Sequence, residues 1–408
     1  MPTEAFRFVH SADFHLERAL YGLSEIPESL REVLVDAPML AAEQVFEAAI
    51  ANRVDFMVLA GDILDPLAAG PRACRFLSTQ FERLDAADIF VYWCAGKVDQ
   101  SNRLAEAVQL PANVHLFSAK NIEAVVHQRD LRPLATIIGL GNVDSKRINF
   151  TSLPEVETDE YKIAIGHGRA DSKSFAKADV DYWALGGRHE LQTDSEYSPT
   201  IHYPGVPQGR CPTEAGTHGC SLVSVGAEHQ TQIRQVETNL VRWRTESIQL
   251  ESVDSSDATK DALGEQMLNV VADAQDVPQL VSWKIEGPRE FTSHRNRRPT
   301  ADELTKWLRD EFADTSPVVW TVAVAIEPPT KMPNSWRKEE TILGDFLRVV
   351  QQLQNDSEQP IKLDGYLSGE LADSLSSVVS LTDSATRKEV LKEATMLGVN
   401  LLRGSDAA

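Results

Sequence analysis

The stretch that most constrains the fold is residues 54–65, which reads VDFMVLAGDILD. The apolar run at residues 56–59 ends in a small-residue turn at Gly61, a pattern typical of a strand that is buried on both faces of a parallel sheet. Asp62 follows directly at the carboxyl end of this strand, and Asp65 lies three residues later. Ligands of open α/β sheets bind in the crevice beyond such strand ends. The sequence therefore predicts an α/β fold with a polar site beside Asp62.

Four other predicted strand ends also carry acidic or imidazole side chains. In chain order they are Asp13 and His15 after residues 6–10, Gly96-Lys97-Val98-Asp99 after residues 89–94, His167 after residues 161–165, and His189 after residues 182–185. Carboxylate and imidazole ligands together suit Mn, Fe or Zn. Such groups gathered at one sheet edge are what a dinuclear phosphoesterase site needs, with two ions about 3.5–4 Å apart.

The chain of 408 residues is longer than one typical domain, and its composition divides it into three regions. Residues 1–250 hold the strand ends described above. Residues 251–330 begin with a polar linker-like segment and contain a predicted β-α-β unit. Residues 331–408 contain two predicted amphipathic helices.

The helix of the β-α-β unit has a start signal in its sequence. Residues 300–303, TADE, match a capping box, which predicts that the helix begins there. The preceding residues 294–298, HRNRR, are then a loop and form the densest basic cluster of the chain. A solvated turn and a phosphate-binding loop both remain open for it, and Arg295, Arg297 and Arg298 are the candidate phosphate contacts.

The overall charge excludes one way of binding nucleic acid. The formal net charge is −21, so the field of the whole molecule repels DNA, and local basic patches or a bound metal have to provide any attraction. The four cysteines form no CxxC pair, which indicates reduced thiols in a cytoplasmic protein. No apolar run approaches the roughly 20 residues of a membrane helix, so we expect no membrane association.

The order of these motifs resembles a known family. The succession D-x-H, G-D-x-x-D, G-x-x-D, H and G-x-x-H is similar to that of the calcineurin-like metallophosphoesterases. HSADFHLER (residues 10–18), AGDILD (residues 60–65) and YPGVPQGR (residues 203–210) resemble SbcD-like and YhaO-like DNA repair exonucleases in particular. The resemblance covers residues 6–330 and implies a four-layer α-β-β-α sandwich with a small α+β capping domain and C-terminal helices. It also implies Mn-dependent phosphodiester hydrolysis on DNA.

The resemblance assigns roles to individual residues of this chain. Asp13, His15 and His189 match the ligands of the family's first metal, and Asp62 matches the carboxylate that bridges both metals. His167 matches one ligand of the second metal.

Departures from the family pattern concentrate on the second metal. The family's G-N-H-D turn reads G-K-V-D here, so that only its closing acid, Asp99, is kept. Lys97 replaces a metal-binding Asn, Val98 replaces the His that assists the leaving oxygen, and Gly187 replaces another metal-binding His. These changes imply one ion rather than two and a weakened activity, because general acid–base help alone is typically worth about 10²–10⁴-fold.

Lys97, Asp99 and Arg210 are not metal ligands, but they are predicted to act in the chemistry or on the substrate. The Lys97 ammonium is expected to replace the charge of the absent second ion and to contact Asp62. Asp62 and Asp99 complete the predicted catalytic set, and Arg210, at the end of YPGVPQGR, is a candidate DNA contact.

Three functions remain open on the sequence alone. The chain is a DNA exonuclease that works with one Mn ion, a lapsed member that binds DNA or an ATPase, or a phosphoesterase for small nucleotides or phosphate esters. The capping unit and the YPGVPQGR segment favour the first two. The expected partners are DNA, a coiled-coil ATPase subunit that the resemblance implies, and a second copy of the chain in a homodimer.

Overall fold

The computed structural model describes residues 4–99, 104, 107–118, 121–140, 160–169, 175, 178–194, 199–250, 256–286, 294–327, 336–355 and 384–403. The chain forms two compact units. The first comprises Met1–Thr245, Val270–Ser282 and Phe312–Val322, and the second comprises Glu246–Asn269, Trp283–Glu311 and Ala323–Ala408. The division into three regions that the sequence suggested stays a prediction.

The strands of the described residues are, in chain order, β1 (Phe6–Ser11), β2 (Phe56–Leu59), β3 (Phe90–Trp93), β4 (Val114–Leu116), β5 (Glu123–Arg129), β6 (Arg132–Gly139), β7 (Tyr161–His167), β8 (Tyr182–Gly186), β9 (Gln192–Asp194), β10 (Thr200–Tyr203), β11 (Gly219–Val225), β12 (Thr231–Glu237), β13 (Arg242–Gln249), β14 (Gln279–Glu286) and β15 (Val319–Glu327). The helices are α1 (Arg31–Ala51), α2 (Pro71–Asp85), α3 (Ser256–Asp273), α4 (His294–Glu311), α5 (Ile342–Asn355) and α6 (Ser384–Arg403), with 3-10 turns at Glu28–Leu30 and Trp336–Lys338.

Two six-stranded mixed sheets form the framework of the first unit. Their strand orders are β12-β11-β1-β2-β3-β4 and β5-β6-β7-β8-β10-β9. Strands β1 to β4 run parallel in the first sheet, and β6, β7, β8 and β10 run parallel in the second. Parallel strands place their carboxyl ends at the same edge, which is where the predicted site residues follow them.

Strand β2 shows why the two sheets stack. Its side chains alternate between two hydrophobic cores, because successive residues of a strand point to opposite faces. Phe56 and Val58 face the second sheet, whereas Met57 and Leu59 face the core that α1 and α2 cover. The prediction of a strand buried on both faces is confirmed.

Aromatic rings fill the space between the sheets. Phe8 and Phe56 stack with ring centroids 5.1 Å apart, and Tyr182 of the second sheet meets Phe8 edge-on at 5.4 Å. On the opposite face of the second sheet, Phe175 packs against Trp183 at 4.1 Å. Helices α1 and α2, the two sheets, and the residues around Phe175 on the far face of the second sheet form the predicted α/β sandwich.

The structure also describes a third sheet and a pair of packed helices. Strands β13, β14 and β15 form a three-stranded sheet in that order. Helices α5 and α6, both in the second unit, pack through Leu343, Leu347 and Val399.

In the part of the chain that the structure describes, no helix combines the length and the apolarity needed to span a membrane. All four cysteines are free.

The start of α4 corrects the sequence analysis. The helix begins at His294, six residues before the predicted capping box, and contains Pro299. The basic cluster therefore belongs to the first turns of a helix and is not a loop. Pro299 is the sixth residue of this helix, so its missing N–H removes one intrahelical hydrogen bond, whereas Arg has a good intrinsic helix propensity.

Candidate metal centre

Main-chain hydrogen bonds hold the loops after β1 and β2 side by side. The amide of Asp13 donates to the carbonyl of Gly61 at 2.9 Å, and the amide of His15 donates to the carbonyl of Asp62 at 3.0 Å. The parallel pairing of β1 with β2 thus continues beyond the ends of both strands. The main chain itself brings these predicted ligands together.

Three of the predicted ligands have strained backbones. Asp13, His15 and Asp62 have φ values of 57°, 44° and 54°, in the left-handed region. Each such residue costs on the order of 1–3 kcal/mol and persists only where its surroundings impose it, which is typical of functional sites. Gly61 has φ of 83°, and a Cβ there would lie 2.6 Å from the main chain of Gly96, so this turn requires glycine.

The predicted ligands converge on one point. His15 Nε2 lies 3.6 Å from Asp62 Oδ2 and 4.0 Å from Asp13 Oδ1, and His167 Nε2 lies 3.4 Å from Asp62 Oδ2. Two overlapping triads have ligand atoms within 4.8 Å of one another: Asp13, His15 and His189, and Asp13, Asp62 and His167. The structure thus brings together all five residues that the sequence proposed as metal ligands.

Each imidazole is oriented by a second partner. His167 Nδ1 donates to the carbonyl of Ala60 at 2.9 Å, and His189 Nδ1 donates to Glu214 Oε1 at 2.5 Å. His15 Nδ1 lies 3.4 Å from Glu17 Oε1. These contacts leave Nε2 of each ring available to a cation, and such outer partners fix the tautomer and orientation of metal-binding histidines.

Sequence reasoning missed both of these glutamates. Glu17 stands two residues after His15, so its place in the same loop was a usable signal. Glu214 stands 25 residues after His189 and belongs to no motif; only the fold brings it there.

The second oxygen of Asp62 is occupied by the main chain. The amides of Lys97 and Val98 donate to Asp62 Oδ1 at 2.5 and 2.9 Å. The Lys97 side chain is exposed and, among the described residues, forms no ion pair with Asp62. The expected contact of the Lys97 ammonium with Asp62 is therefore not found among the described residues; Lys97 reaches Asp62 only through its amide.

Asp99 has a structural position. It is fully buried, and Oδ1 accepts hydrogen bonds from the amides of Asp62 and Gly96, while Oδ2 accepts from the amide of Ile63 and from Trp93 Nε1. With four donors on its two oxygens, this carboxylate fixes the turn that presents the amides to Asp62. This geometry does not open it to a substrate, as a catalytic role requires.

Gly187 occupies the position where the family has a histidine. Its amide donates to Asp13 Oδ2 at 2.8 Å. Its φ is 92°, and a Cβ would lie 3.2 Å from His167 Nε2. At this position the main-chain amide binds Asp13, whereas the resemblance implies a histidine side chain that binds a metal.

The predicted phosphate-binding arginines belong to different parts of the chain. Arg210 is buried beside the candidate metal centre, with Nη2 3.8 Å from Glu214 Oε1 and 3.4 Å from His189 Nδ1. Its Nε and Nη1 are buried without a hydrogen-bond partner among the described residues, and its contact with a phosphate stays a prediction. Arg298 is exposed on α4, and the side chains of Arg295 and Arg297 lie outside the described residues.

The charges of the site shift the pKa values of its groups in opposite directions. Burial raises the pKa of Asp13 to about 6, against the opposing charge of His167. For Asp62, burial is outweighed by the hydrogen bond and charge of His167 and by the Val98 amide, so its pKa is lowered. For His167, burial is likewise outweighed by Asp62 and Asp13, and its pKa is raised to about 9.

The residues present fit a divalent transition metal. Asp13 Oδ1 is buried without a hydrogen-bond partner among the described residues, which is costly for a carboxylate. The surrounding donors are carboxylate oxygens and imidazole Nε2 atoms, a set that suits Mn, Fe or Zn. A bound cation would give Asp13 the partner that it lacks.

One curated protein is similar to part of this chain. The chain is 32% identical over 232 residues to the uncharacterized metallophosphoesterase YhaO of Bacillus subtilis (strain 168), a match that covers 53% of this chain and 57% of that protein. The chain thus matches little more than half the length of this relative. No protein-family model matches the chain.

Solved structures give a looser comparison. A dimetal phosphatase from Danio rerio aligns with 57% of this chain and 96% of its own, at 13% identity and a TM-score of 0.36. Vacuolar Protein Sorting 29 from Cryptosporidium parvum aligns with 58% of this chain and 99% of its own, at 14% identity and a TM-score of 0.26. With TM-scores this low, the description of the fold depends on the strand order and packing given above.

Proposed function

We propose that the protein is a metal-dependent phosphodiesterase that acts on DNA with one divalent cation, Mn being the expected ion, and with low turnover. The observation that carries this proposal is the division of the Asp62 carboxylate. Oδ2 faces His15 and His167, whereas Oδ1 is closed by the amides of Lys97 and Val98. With Oδ1 closed, only Oδ2 is left to meet a cation, and positions 97 and 187 supply no side-chain ligand for a second ion, which supports a single ion.

The side chains define what the site can do. Asp13, His15 and His189 form one ligand triad, and Asp62 Oδ2 lies 3.6 Å from His15 Nε2; these four residues would hold the cation, with Glu214 fixing the ring of His189. A bound divalent cation supplies Lewis-acid polarisation of a phosphoryl oxygen and favours ionisation of a water.

Proton transfer to the leaving oxygen is the weak step. Val98 stands where the family has an imidazole, and it has no group that can hand over a proton. General acid–base catalysis is typically worth about 10²–10⁴-fold, so turnover falls by about that factor below a complete site.

Elemental analysis paired with a nuclease assay tests this proposal. We expect about one Mn per chain and slow Mn-dependent cleavage of single- or double-stranded DNA, which Asp62→Asn abolishes. Val98→His should raise turnover, and Lys97→Ala serves as the matched change in the same turn. Two ions per chain, or rapid cleavage that survives Asp62→Asn, would contradict the proposal.

A lapsed DNA-binding or ATPase-binding protein is the second candidate. The lack of side-chain ligands at positions 97 and 187 favours it, because their loss weakens a second ion site while the amides of Lys97 and Val98 still hold Asp62 Oδ1. DNA binding with no cleavage even after Val98→His would select this candidate. Hydrolysis of bis-p-nitrophenyl phosphate without cleavage of DNA would select a small-ester phosphoesterase instead.

Helices α5 and α6 support the partner part of the proposal. Both expose apolar side chains, with Ile342 75% and Leu401 64% exposed. Large exposed apolar groups are typical of helices that dock on another protein. A coiled-coil ATPase is the proposed partner, and a second copy of the chain, docked through the same helices, is the competing one. Light scattering of the unchanged chain and of the I342E/L401E variant shows whether the chain forms a homodimer through these helices.

The proposed location is the cytoplasm. Four free cysteines suit a reducing compartment. Fractionation of cells is the direct check.

A further inference from the structure

A cavity of about 670 Å³ lies in the first unit at the edge of the first sheet where β1 begins. It is lined by Arg7 of β1, Arg53 after α1, Arg129 of β5, and the end of β11 with its following turn. The candidate metal centre lies beyond the other end of β1. At about 3.3 Å per strand residue, Arg7 and Ser11, the last residue of β1, are about 13 Å apart, and Asp13 follows beyond Ser11. The cavity is therefore separate from the metal centre.

The cavity carries an excess of positive charge in a strongly acidic chain. Arg129 is already compensated, because its guanidinium binds Asp55 and lies 3.6 Å from Glu4. Arg7 and Arg53 are exposed, and neither guanidinium has a hydrogen bond or ion pair among the described residues. Two uncompensated guanidinium groups thus face a cavity in a protein whose net charge is −21.

Main-chain contacts hold Arg53 beside the cavity. It follows the end of α1 with a φ of 48°, a left-handed conformation that favours glycine. Its amide donates to the carbonyl of Ile50 at 3.0 Å, which fixes this turn. Arginine in this place adds a charged group at a position where glycine would be less strained.

A row of polar side chains completes the floor of the cavity. Arg7 pairs with Ser224 across β1 and β11, and Ser224 pairs with Gln232 across β11 and β12. Directly paired residues of antiparallel strands lie on the same face, so these three side chains form one line. A guanidinium, a hydroxyl and an amide all donate hydrogen bonds to phosphate oxygens.

We propose that this cavity is a binding site for a small phosphorylated ligand with at least two phosphate charges, held by Arg7 and Arg53. Its volume lies within the range of about 300–1,000 Å³ that is usual for small-molecule sites. Guanidinium groups bind phosphate through two parallel hydrogen bonds, and this geometry suits a diphosphate. The site is independent of phosphodiester cleavage at the metal centre.

Isothermal titration calorimetry of the full chain with inorganic pyrophosphate and with ADP tests this proposal. We expect one anion per chain in this cavity. Hydrogen bonds to charged groups are worth enough that Arg53→Gln should weaken binding by about tenfold, and R7Q/R53Q by about 100-fold. Equal affinity for the two probes shows that the phosphates alone are recognised, and tighter ADP binding shows that the nucleoside also contributes.

Two control variants locate the bound anion. Arg75→Gln, a change of an exposed arginine on α2 outside the cavity, should leave binding unchanged. Asp13→Asn alters the metal centre and should also leave it unchanged. No uptake of either probe at millimolar concentration, equal binding by R7Q/R53Q and the unchanged chain, or loss of binding only in Asp13→Asn would overturn the proposal. Thermal unfolding of each variant checks that it is folded, and the two single variants carry the test should the double variant unfold.

Discussion

The two oxygens of Asp62 face very different surroundings. Around Oδ2, side chains from the loop after β1 and from the end of β7 converge, and the nearest are the imidazoles of His15 and His167. Around Oδ1, the contacts come from the main chain, through the amides of Lys97 and Val98. Most substitutions at a ligand remove its side chain, whereas only proline removes a main-chain donor. Oδ2 is therefore left facing the candidate metal ligands, whereas Oδ1 is held by the main chain.

The largest expected effect comes from changing the shared group itself. Asp62→Asn keeps an oxygen for the two amides but removes the charge that faces the cation. Loss of one partner from a buried charge pair typically costs about 3–5 kcal/mol, so Mn²⁺ affinity should fall by more than about 100-fold. Calorimetric Mn²⁺ titration measures this fall.

Lys97→Ala is the matched change on the opposite side of the carboxylate. It keeps the amide, so the Mn²⁺ affinity should stay as it is. A large loss of affinity would show that the ammonium acts at the site and would break the comparison.

Asp99→Ala is expected to have the next largest effect. It removes the acceptor of four hydrogen bonds that shape the turn on the Oδ1 side, and buried donors left without partners are costly. We expect the free energy of unfolding in urea to fall by about 2–3 kcal/mol. Asp85→Ala, at an exposed acid, should change it by no more than about 0.5 kcal/mol. Equal effects of the two changes would contradict the structural role of Asp99.

Glu214→Gln tests whether Glu214 orients His189 for cation binding. Removing an outer partner of a metal-binding histidine typically costs about 10–100-fold in affinity, and the same loss is expected here for Mn²⁺. Glu82→Gln, at an exposed glutamate of α2, is the control and should bind Mn²⁺ normally. Unchanged affinity in Glu214→Gln would mean that His189 needs no such support.

The smallest expected effect concerns Gly187. Alanine at a φ of 92° is strained, and its Cβ would press on His167, so we expect a loss of about 1–2 kcal/mol in the free energy of unfolding. Gly216→Ala shares the positive φ, at 105°, but has open space around its Cβ. The difference between the two variants measures the crowding of this Cβ against Gly168 and His167. If the two variants lose equal stability, Gly187 is constrained only by its φ.

The clustering of the side chains in this candidate site could be expected from the sequence. Asp13, Asp62 and His167 follow strands whose patterns are clear, and parallel pairing makes their convergence a consequence of topology. The main-chain half was not predictable in the same way. Every residue has an amide, so no residue type announced that Lys97 and Val98 would bind Asp62 with theirs.

Long-range partners and helix ends were the other failures. Glu214 reaches His189 only because the segment after β10 folds back, and no local pattern encodes that return. The start of α4 was wrong because a capping box marks a favourable start without preventing an earlier one, and tertiary context can override such local preferences.

The main-chain pairing between the loops after β1 and β2 has a consequence for how this chain can diverge. Because amides and carbonyls set the spacing of Asp13, His15 and Asp62, the frame of the site does not depend on which side chains it carries. Substitutions at neighbouring positions such as 97, 98 and 187 can accumulate one at a time without collapse of the loops. In a scaffold of this kind, single substitutions can change a dinuclear site into a mononuclear or metal-free one. Each variant along the way is a folded protein on which selection can act.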